Sequence, residues 1–180
     1  MKIVAIVGMN GSGKSEVARI LEQNGFVRIR FGDVTDKEIA KRRLELNEEN
    51  ERKVREQLRK AHGMAAYAKL NIPVIDAALN HSPVVVDGLY SWEEYKLLKE
   101  RYGSDLIVVA VYSSPRTRQA RLPKRQVRPL TPEESAVRDA NEIENLGKGG
   151  PIAIADFTLI NESSMEDLKR KTEELIERLM

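Results

Sequence analysis

Gly8-Met9-Asn10-Gly11-Ser12-Gly13-Lys14-Ser15 separates two stretches of opposite character. Before it, Lys2-Ile3-Val4-Ala5-Ile6-Val7 is a continuous β-branched run, the pattern of a strand buried on both faces of a parallel sheet. After it, Val17, Ala18 and Leu21 recur at helical spacing until Gly25, which predicts a helix closed by a glycine. The octapeptide matches G-x-x-x-x-G-K-[ST] without a gap, in the strand, loop, helix context that this motif requires. An ordinary strand-to-helix turn would use glycine, but it needs neither the eight-residue spacing nor both flanking elements. Gly8, Gly11 and Gly13 let the backbone close around phosphate oxygens, so that N–H groups of the loop, Asn10 and Ser12 among them, face an anion. Lys14 supplies a point charge to the β and γ phosphates, Ser15 an oxygen to Mg²⁺, and the helix beginning there its positive dipole end. The loop therefore predicts binding of ATP with Mg²⁺.

Further along, Phe26 to Phe31 alternates and predicts a second strand in an edge-like position, followed by Gly32-Asp33. Val34 to Leu70 is rich in Lys, Arg, Glu and Leu and predicts two helices, with a break near Asn47. Pro83 to Gly88 predicts a third strand, and Ser91 with Glu94 a capping box that starts a helix running to about Arg101. Asp105 to Tyr112 is a fourth strand, Ser114 to Leu122 a helix, and Thr131-Pro132-Glu133-Glu134 another helix start. Ile154 to Ile160 predicts the fifth strand. Ser163 with Glu166 is expected to cap a last helix that turns Met165, Leu168, Leu175, Ile176 and Leu179 inward. Alternating strands and helices imply an α/β fold, a parallel sheet covered on both faces, with ligands outside the C-terminal strand ends.

Composition narrows the function. The 180 residues, 41% hydrophobic, suit one domain. No apolar run approaches the ~20 residues of a membrane span, which leads to an expectation of a cytoplasmic protein. Thirty basic and 28 acidic residues nearly cancel, so the overall field argues against nucleic acid as a partner. With no cysteine, disulfides and thiolate metal sites are excluded. Nothing in the sequence separates a monomer from a homodimer.

Two further features carry chemistry. Asp87 ends an apolar strand, where a carboxylate would reach the Mg²⁺ shell beside the phosphate loop. Arg116, Arg118, Arg121, Arg125 and Arg128 crowd one segment between Tyr112 and Thr131, broken by Pro123 and Pro129. Guanidinium groups on a closing flap can stabilise the charge spread during phosphoryl transfer; the alternative for each is a solvated basic face. Tyr90, just after Gly88, is placed to reach an acceptor pocket.

Taken together these residues resemble the P-loop nucleotide and nucleoside monophosphate kinase group along essentially the whole chain. Archaeal adenylate-kinase-related proteins share Phe31-Gly32-Asp33-Val34, Val86-Asp87-Gly88, Ser114-Pro115-Arg116-Thr117-Arg118 with Arg121-Leu122, Arg138-Asp139, and Ala155-Asp156 followed by Asn161. Dephospho-coenzyme A kinases share Arg121-Leu122, Leu130-Thr131-Pro132-Glu133-Glu134 and Ala155-Asp156 leading to Ile160-Asn161. The resemblance implies a five-stranded core formed by residues 1–33, 82–115 and 150–180, acceptor-binding helices in 34–81 and a lid in 116–130. It also implies Lys14, Arg118, Arg121, Arg125 and Arg128 around the transferring phosphate, Arg118 and Asn161 near the nucleotide, and Asp33, Lys37, Arg59, Gly88 and Tyr90 around a small nucleotide acceptor. Two positions depart from the group's pattern. Asp36 stands where an arginine grips the acceptor's phosphate, and Leu89-Tyr90-Ser91 where a second arginine is usual. Either Lys37, Arg42, Arg59 or Arg30 takes over that grip, or the acceptor presents a hydroxyl with Asp33 as its base, as in dephospho-coenzyme A kinases. A nucleic-acid-linked ATPase and a non-catalytic nucleotide-binding regulator are the competing classes.

Overall fold

The computed structural model describes residues 1–126 and 129–179. Five strands form one parallel sheet in the order β2-β3-β1-β4-β5: β1 Ile3–Val7, β2 Val27–Arg30, β3 Val84–Asp87, β4 Leu106–Tyr112 and β5 Phe157–Ile160. The apolar run before the phosphate loop is the central strand, paired on both sides, and β2 is an edge. Along β1, Ile3, Ala5 and Val7 enter one core while Val4 and Ile6 enter the other. Pleating alone divides a uniformly apolar run between two cores, which is why no alternation shows in the sequence.

The helices are α1 Lys14–Gln23, α2 Asp33–Lys41, α3 Glu48–His62, α4 Ala66–Leu79, α5 Trp92–Tyr102, α6 Pro115–Arg121, α7 Pro132–Glu144, α8 Gly149–Ala153 and α9 Met165–Leu179. Residues of α1 and α9 share one core with Val4, Ile6, Val109 and Val111, and residues of α2 to α5 share the other with Ile3, Ala5, Val84 and Val86. The expected caps at Asn47, Ser91 and Thr131 are present, each side-chain oxygen accepting a backbone N–H of the first turn. The last two are full capping boxes.

Four expectations are corrected. The segment read as two helices holds three, because Gly63 at φ +81° ends α3 and α4 then runs through Pro73. A proline inside a helix costs about 3 kcal/mol, and burial of Ala66, Tyr67, Ala68 and Ile75 from the same helix offsets it. The fifth strand begins at Phe157 rather than Ile154. Asp156 Oδ2 accepts the N–H of Val108 at 2.7 Å, so a side chain occupies β4 where the ladder would otherwise start, and α8 fills the preceding residues. The last helix is capped by Ser164, whose Oγ accepts Asp167 N–H at 3.2 Å, while Ser163 bonds the Asp167 carboxylate. Met165, expected inside, is 53% exposed, since it begins the helix before the first inward turn.

Candidate active site

The phosphate loop leaves the C-terminal end of β1 and enters α1 at Lys14. Gly13 sits at φ +99°, and a Cβ there would lie 2.4 Å from Asn161 Nδ2. That amide donates to Ser12 O at 2.8 Å, so Asn161 supports the loop from behind. Gly8, at φ +151°, has Val111 O 2.3 Å from where its Cβ would stand. Within the loop Asn10 Nδ2 and Ser12 Oγ are buried without a partner among the described residues, two orphaned polar groups of the kind that phosphate oxygens would satisfy. The cradle therefore fits a polyphosphate. Lys14 Nζ donates to Met9 O at 2.9 Å, and loss of hydration in the loop, followed by the repulsion of Lys148, lowers its ammonium to about 7.

Ser15 Oγ lies 3.4 Å from Asp87 Oδ1 across the end of β3. The other carboxylate oxygen, Oδ2, accepts Nε and Nη2 of Arg28 on β2. One hard oxygen of Asp87 thus remains beside the serine hydroxyl, a donor pair that fits Mg²⁺ with the remaining positions left to water and phosphate.

The arginine-rich segment divides in two. Arg118 is 4% exposed and fully engaged by protein: Nη1 and Nη2 grip Asp139 at 3.0 and 2.7 Å, Nη1 also donates to Asn10 O at 3.0 Å, and Nε to Ser113 O at 3.2 Å. Arg121 Nη1 donates to Ser113 Oγ and Asn161 O, both at 3.1 Å. With the side chain of Leu122 fully buried, α6 is part of the loop's support, tying it to α7. Arg125 is more exposed and reaches Asn10 Oδ1 at 3.2 Å, at the front of the loop. Arg128 lies outside the described residues.

A cavity of about 1150 Å³ opens between α2, α3 and α7. Arg30, Arg55, Arg59, Tyr67, Tyr90 and Arg138 are among the residues lining it. Gly88 lies under Tyr90, whose ring would be 2.9 Å from a Cβ there; that ring packs edge-on against Tyr67, 5.3 Å between centres. Burial and the nearby Asp87 hold the Tyr90 hydroxyl protonated. Asp36 does not stand bare in place of the missing arginine: Arg30 pairs with it at 2.9 Å and with Asp33 at 3.1 Å. Asp33 and Lys37 do not line the cavity, whereas Arg59 does, its guanidinium 5.3 Å from the Tyr67 ring centre.

Sequence reasoning missed Arg28, Glu142 and Lys148, and assigned Arg138 no role. Lys148, between α7 and α8, is 1% exposed, and its Nζ lies 2.8 Å from Glu142 Oε2. Arg138 Nε is 3.5 Å from Glu142 Oε1. Burial alone would raise the Glu142 carboxyl, but Lys148 and Lys14 overcome it and hold the group down to about 2. The only signal available was the order Arg138-Asp139; a buried lysine has no periodicity to announce it.

A five-stranded parallel sheet with the phosphate loop at its centre and a cavity lined by both arginines and carboxylates beside it defines a P-loop domain of kinase-like fold. Residues 4–144 match the family described as AAA domain. The chain belongs to the UPF0200 family: it is 39% identical to the UPF0200 protein of Thermococcus gammatolerans, covering 99% of this chain and 95% of that protein. With the UPF0200 protein of Sulfurisphaera tokodaii it shares 38% identity, covering 100% and 98%. Solved structures share the fold at lower identity. TT1252 from Thermus thermophilus superposes with a TM-score of 0.64 at 20% identity, covering 99% of this chain and 98% of that one. A gluconokinase from Sinorhizobium meliloti gives 0.62 at 18%, covering 99% and 93%. The Mycobacterium tuberculosis APS kinase CysC, solved with AMPPNP and APS, gives 0.55 at 19%, covering 98% and 97%. Among the described residues no helix is long and apolar enough to cross a membrane.

Proposed function

We propose that this chain is an ATP- and Mg²⁺-dependent kinase of a small nucleotide-like acceptor, acting in the cytoplasm. The carrying observation is the phosphate cradle, with its two orphaned donors, in electrostatic contact through Lys14 with Arg138 and Glu142 of the cavity wall. Phosphate and acceptor sites are thereby adjacent, as phosphoryl transfer requires. In the transfer the bond from Pγ to the bridging oxygen of ADP breaks and a bond to an acceptor oxygen forms. Mg²⁺, held by Ser15 and Asp87, would neutralise charge on the phosphates. Loop amides and Lys14 hold the phosphates, while Arg125 faces the transferring group. Arg118 and Arg121 act through the loop they support.

The pairing of Asp33 with Arg30 favours an acceptor whose oxygen is already ionised, since a base that lies off the cavity wall and is neutralised serves a hydroxyl poorly. Arg59, which makes no ion pair with a described residue, takes the acceptor's anionic group in place of the missing arginine. The kinases among the structural neighbours support the reaction class. The test is a transfer screen with γ-labelled ATP and Mg²⁺ against ribo- and deoxyribonucleoside monophosphates and dephospho-coenzyme A, with Lys14→Ala as control. A labelled product that Lys14→Ala lacks is expected. ATP binding without transfer to any of these acceptors would remove the reading.

A further inference from the structure

Lys148 is out of character for a structural residue. Lysines are almost never fully buried unless paired, and a buried pair that merely joins two helices is readily replaced by apolar side chains. Here the pairing is also lopsided. Around the single carboxylate of Glu142 stand Lys148 Nζ at 2.8 Å and Arg138 Nε at 3.5 Å, with Lys14 of the phosphate loop close enough to act on it electrostatically. Three cations face Glu142, and of these Arg138 also reaches Glu48 Oε2 at 3.7 Å. Of the other carboxylates nearby, Asp87 pairs with Arg28 and acts on Lys14, while Glu94 gives Oε2 to the backbone N–H groups of Tyr90 and Ser91 and acts electrostatically on Lys148. The cluster brings three cations together at the boundary between phosphate loop and cavity, where Arg138 and Glu142 are wall residues.

The backbone fixes this arrangement. Lys148 N–H bonds Glu142 O at 3.1 Å, and Gly147 at φ +59° reverses the chain between them. The ammonium lies 5.5 Å from the Tyr90 ring centre, so the lysine stem is held between α7 and the cavity's aromatic wall. Several cations converging on one carboxylate is also the environment that a phosphoryl group with three charged oxygens would find.

We infer that Lys148 is a second phosphate lysine for the terminal phosphoryl group of ATP, and that Glu142 is a placeholder anion which a phosphate oxygen displaces. This rests on the ATP-binding reading above. It adds to that reading a residue from outside the phosphate loop that distinguishes a triphosphate from a diphosphate. Lys14 serves both nucleotides from within the loop, whereas Lys148 serves only the group that is transferred.

The test compares Mg²⁺·ATP and Mg²⁺·ADP affinities by calorimetry at fixed pH and salt, for the unaltered chain, Lys148→Gln, Lys148→Arg, Glu142→Gln and Lys14→Ala. Loss of one charged hydrogen bond in a dehydrated site should weaken ATP binding of Lys148→Gln by about ten- to a hundredfold, while ADP binding changes by less than about threefold. Lys148→Arg should recover most of the ATP affinity, and Glu142→Gln should bind ATP more tightly than the unaltered chain. An ATP-to-ADP affinity ratio unchanged in Lys148→Gln overturns the inference, because a purely structural ion pair would weaken both nucleotides alike. If Lys148→Gln does not fold, Glu142→Gln decides: tighter ATP binding supports the placeholder and weaker binding refutes it. ATP bound no more tightly by the unaltered chain than by Lys14→Ala would instead overturn the ATP-binding reading and this inference with it.

Discussion

Replacing Glu94 with glutamine should stabilise the fold at alkaline pH and leave it unchanged at acidic pH. Glu94 is fully buried at the third position of α5; Oε2 accepts the N–H groups of Tyr90 at 2.8 Å and Ser91 at 3.3 Å, and Oε1 has no hydrogen-bond partner among the described residues. Burial pushes its carboxyl from 4.5 up to about 7, against the opposing pull of the Tyr90 N–H, Arg59, the Ser91 N–H and Lys148. Because the folded value exceeds the unfolded one, the native state holds the proton more tightly. The associated stability is fully present below pH 4.5 and is lost as the pH rises through 7. A shift of that size at 1.36 kcal/mol per unit corresponds to about 3 kcal/mol, a large share of a typical domain's 5–15 kcal/mol. Glutamine keeps the oxygen that caps α5 and cannot ionise. Urea unfolding of both proteins from pH 5 to pH 8.5 is the assay. The expected gap is under about 1 kcal/mol at pH 5 and widens to about 3 kcal/mol in favour of Glu94→Gln at pH 8.5. A gap independent of pH, or a variant that is the less stable at pH 8.5, would refute the reasoning, since it would mean that Arg59 and Lys148 keep the carboxylate ionised in the fold.

Two other perturbations follow from the loop's support. Gly13→Ala forces an alanine to φ +99° with its Cβ 2.4 Å from the Asn161 amide; strain and a displaced Ser12–Asn161 bond should together cost about 3 kcal/mol, read from the urea midpoint. Arg118→Met leaves the Asp139 carboxylate without its bidentate partner and should destabilise by about 3 kcal/mol. Adding Asp139→Asn should recover part of that loss, and strictly additive effects in the double-mutant cycle would contradict the coupling.

What the sequence revealed of the fold followed from local rules. The central strand, the phosphate loop, the capping boxes at Ser91 and Thr131 and the edge position of β2 each rest on a few neighbouring residues whose types leave one conformation favoured. The errors arose where tertiary contacts override local preference. Pro73 signals a helix end, yet α4 continues because its buried face outweighs one lost hydrogen bond. Ile154 extends an apolar stretch, yet the Asp156 side chain has already taken the Val108 N–H that a longer strand would need.

The site shows the same division at closer range. Lys14, Ser15 and Asp87 were legible because each stands at the end of an element whose direction the sequence fixes, so their convergence follows from topology alone. The arginines of 116–128 shared one composition and only the fold separates their duties. Arg118 points inward because α6 is capped at Ser114 and seals the loop with Leu122, which leaves its guanidinium facing Asp139 and the Asn10 carbonyl. Arg125, past the end of that helix, is free to face the front of the loop. Lys148 was invisible for the opposite reason. In a chain with 30 basic residues one more lysine between two glycines reads as solvated surface, and only the return of α8 against α5 and the cavity wall removes it from water. A buried ammonium is sustained by the carboxylates around it, here Glu142 and Glu94, against the repulsion of Arg138, and it in turn repels the phosphate-loop lysine. The part of the site hardest to read from sequence is therefore the part whose energetics depend most on what binds there.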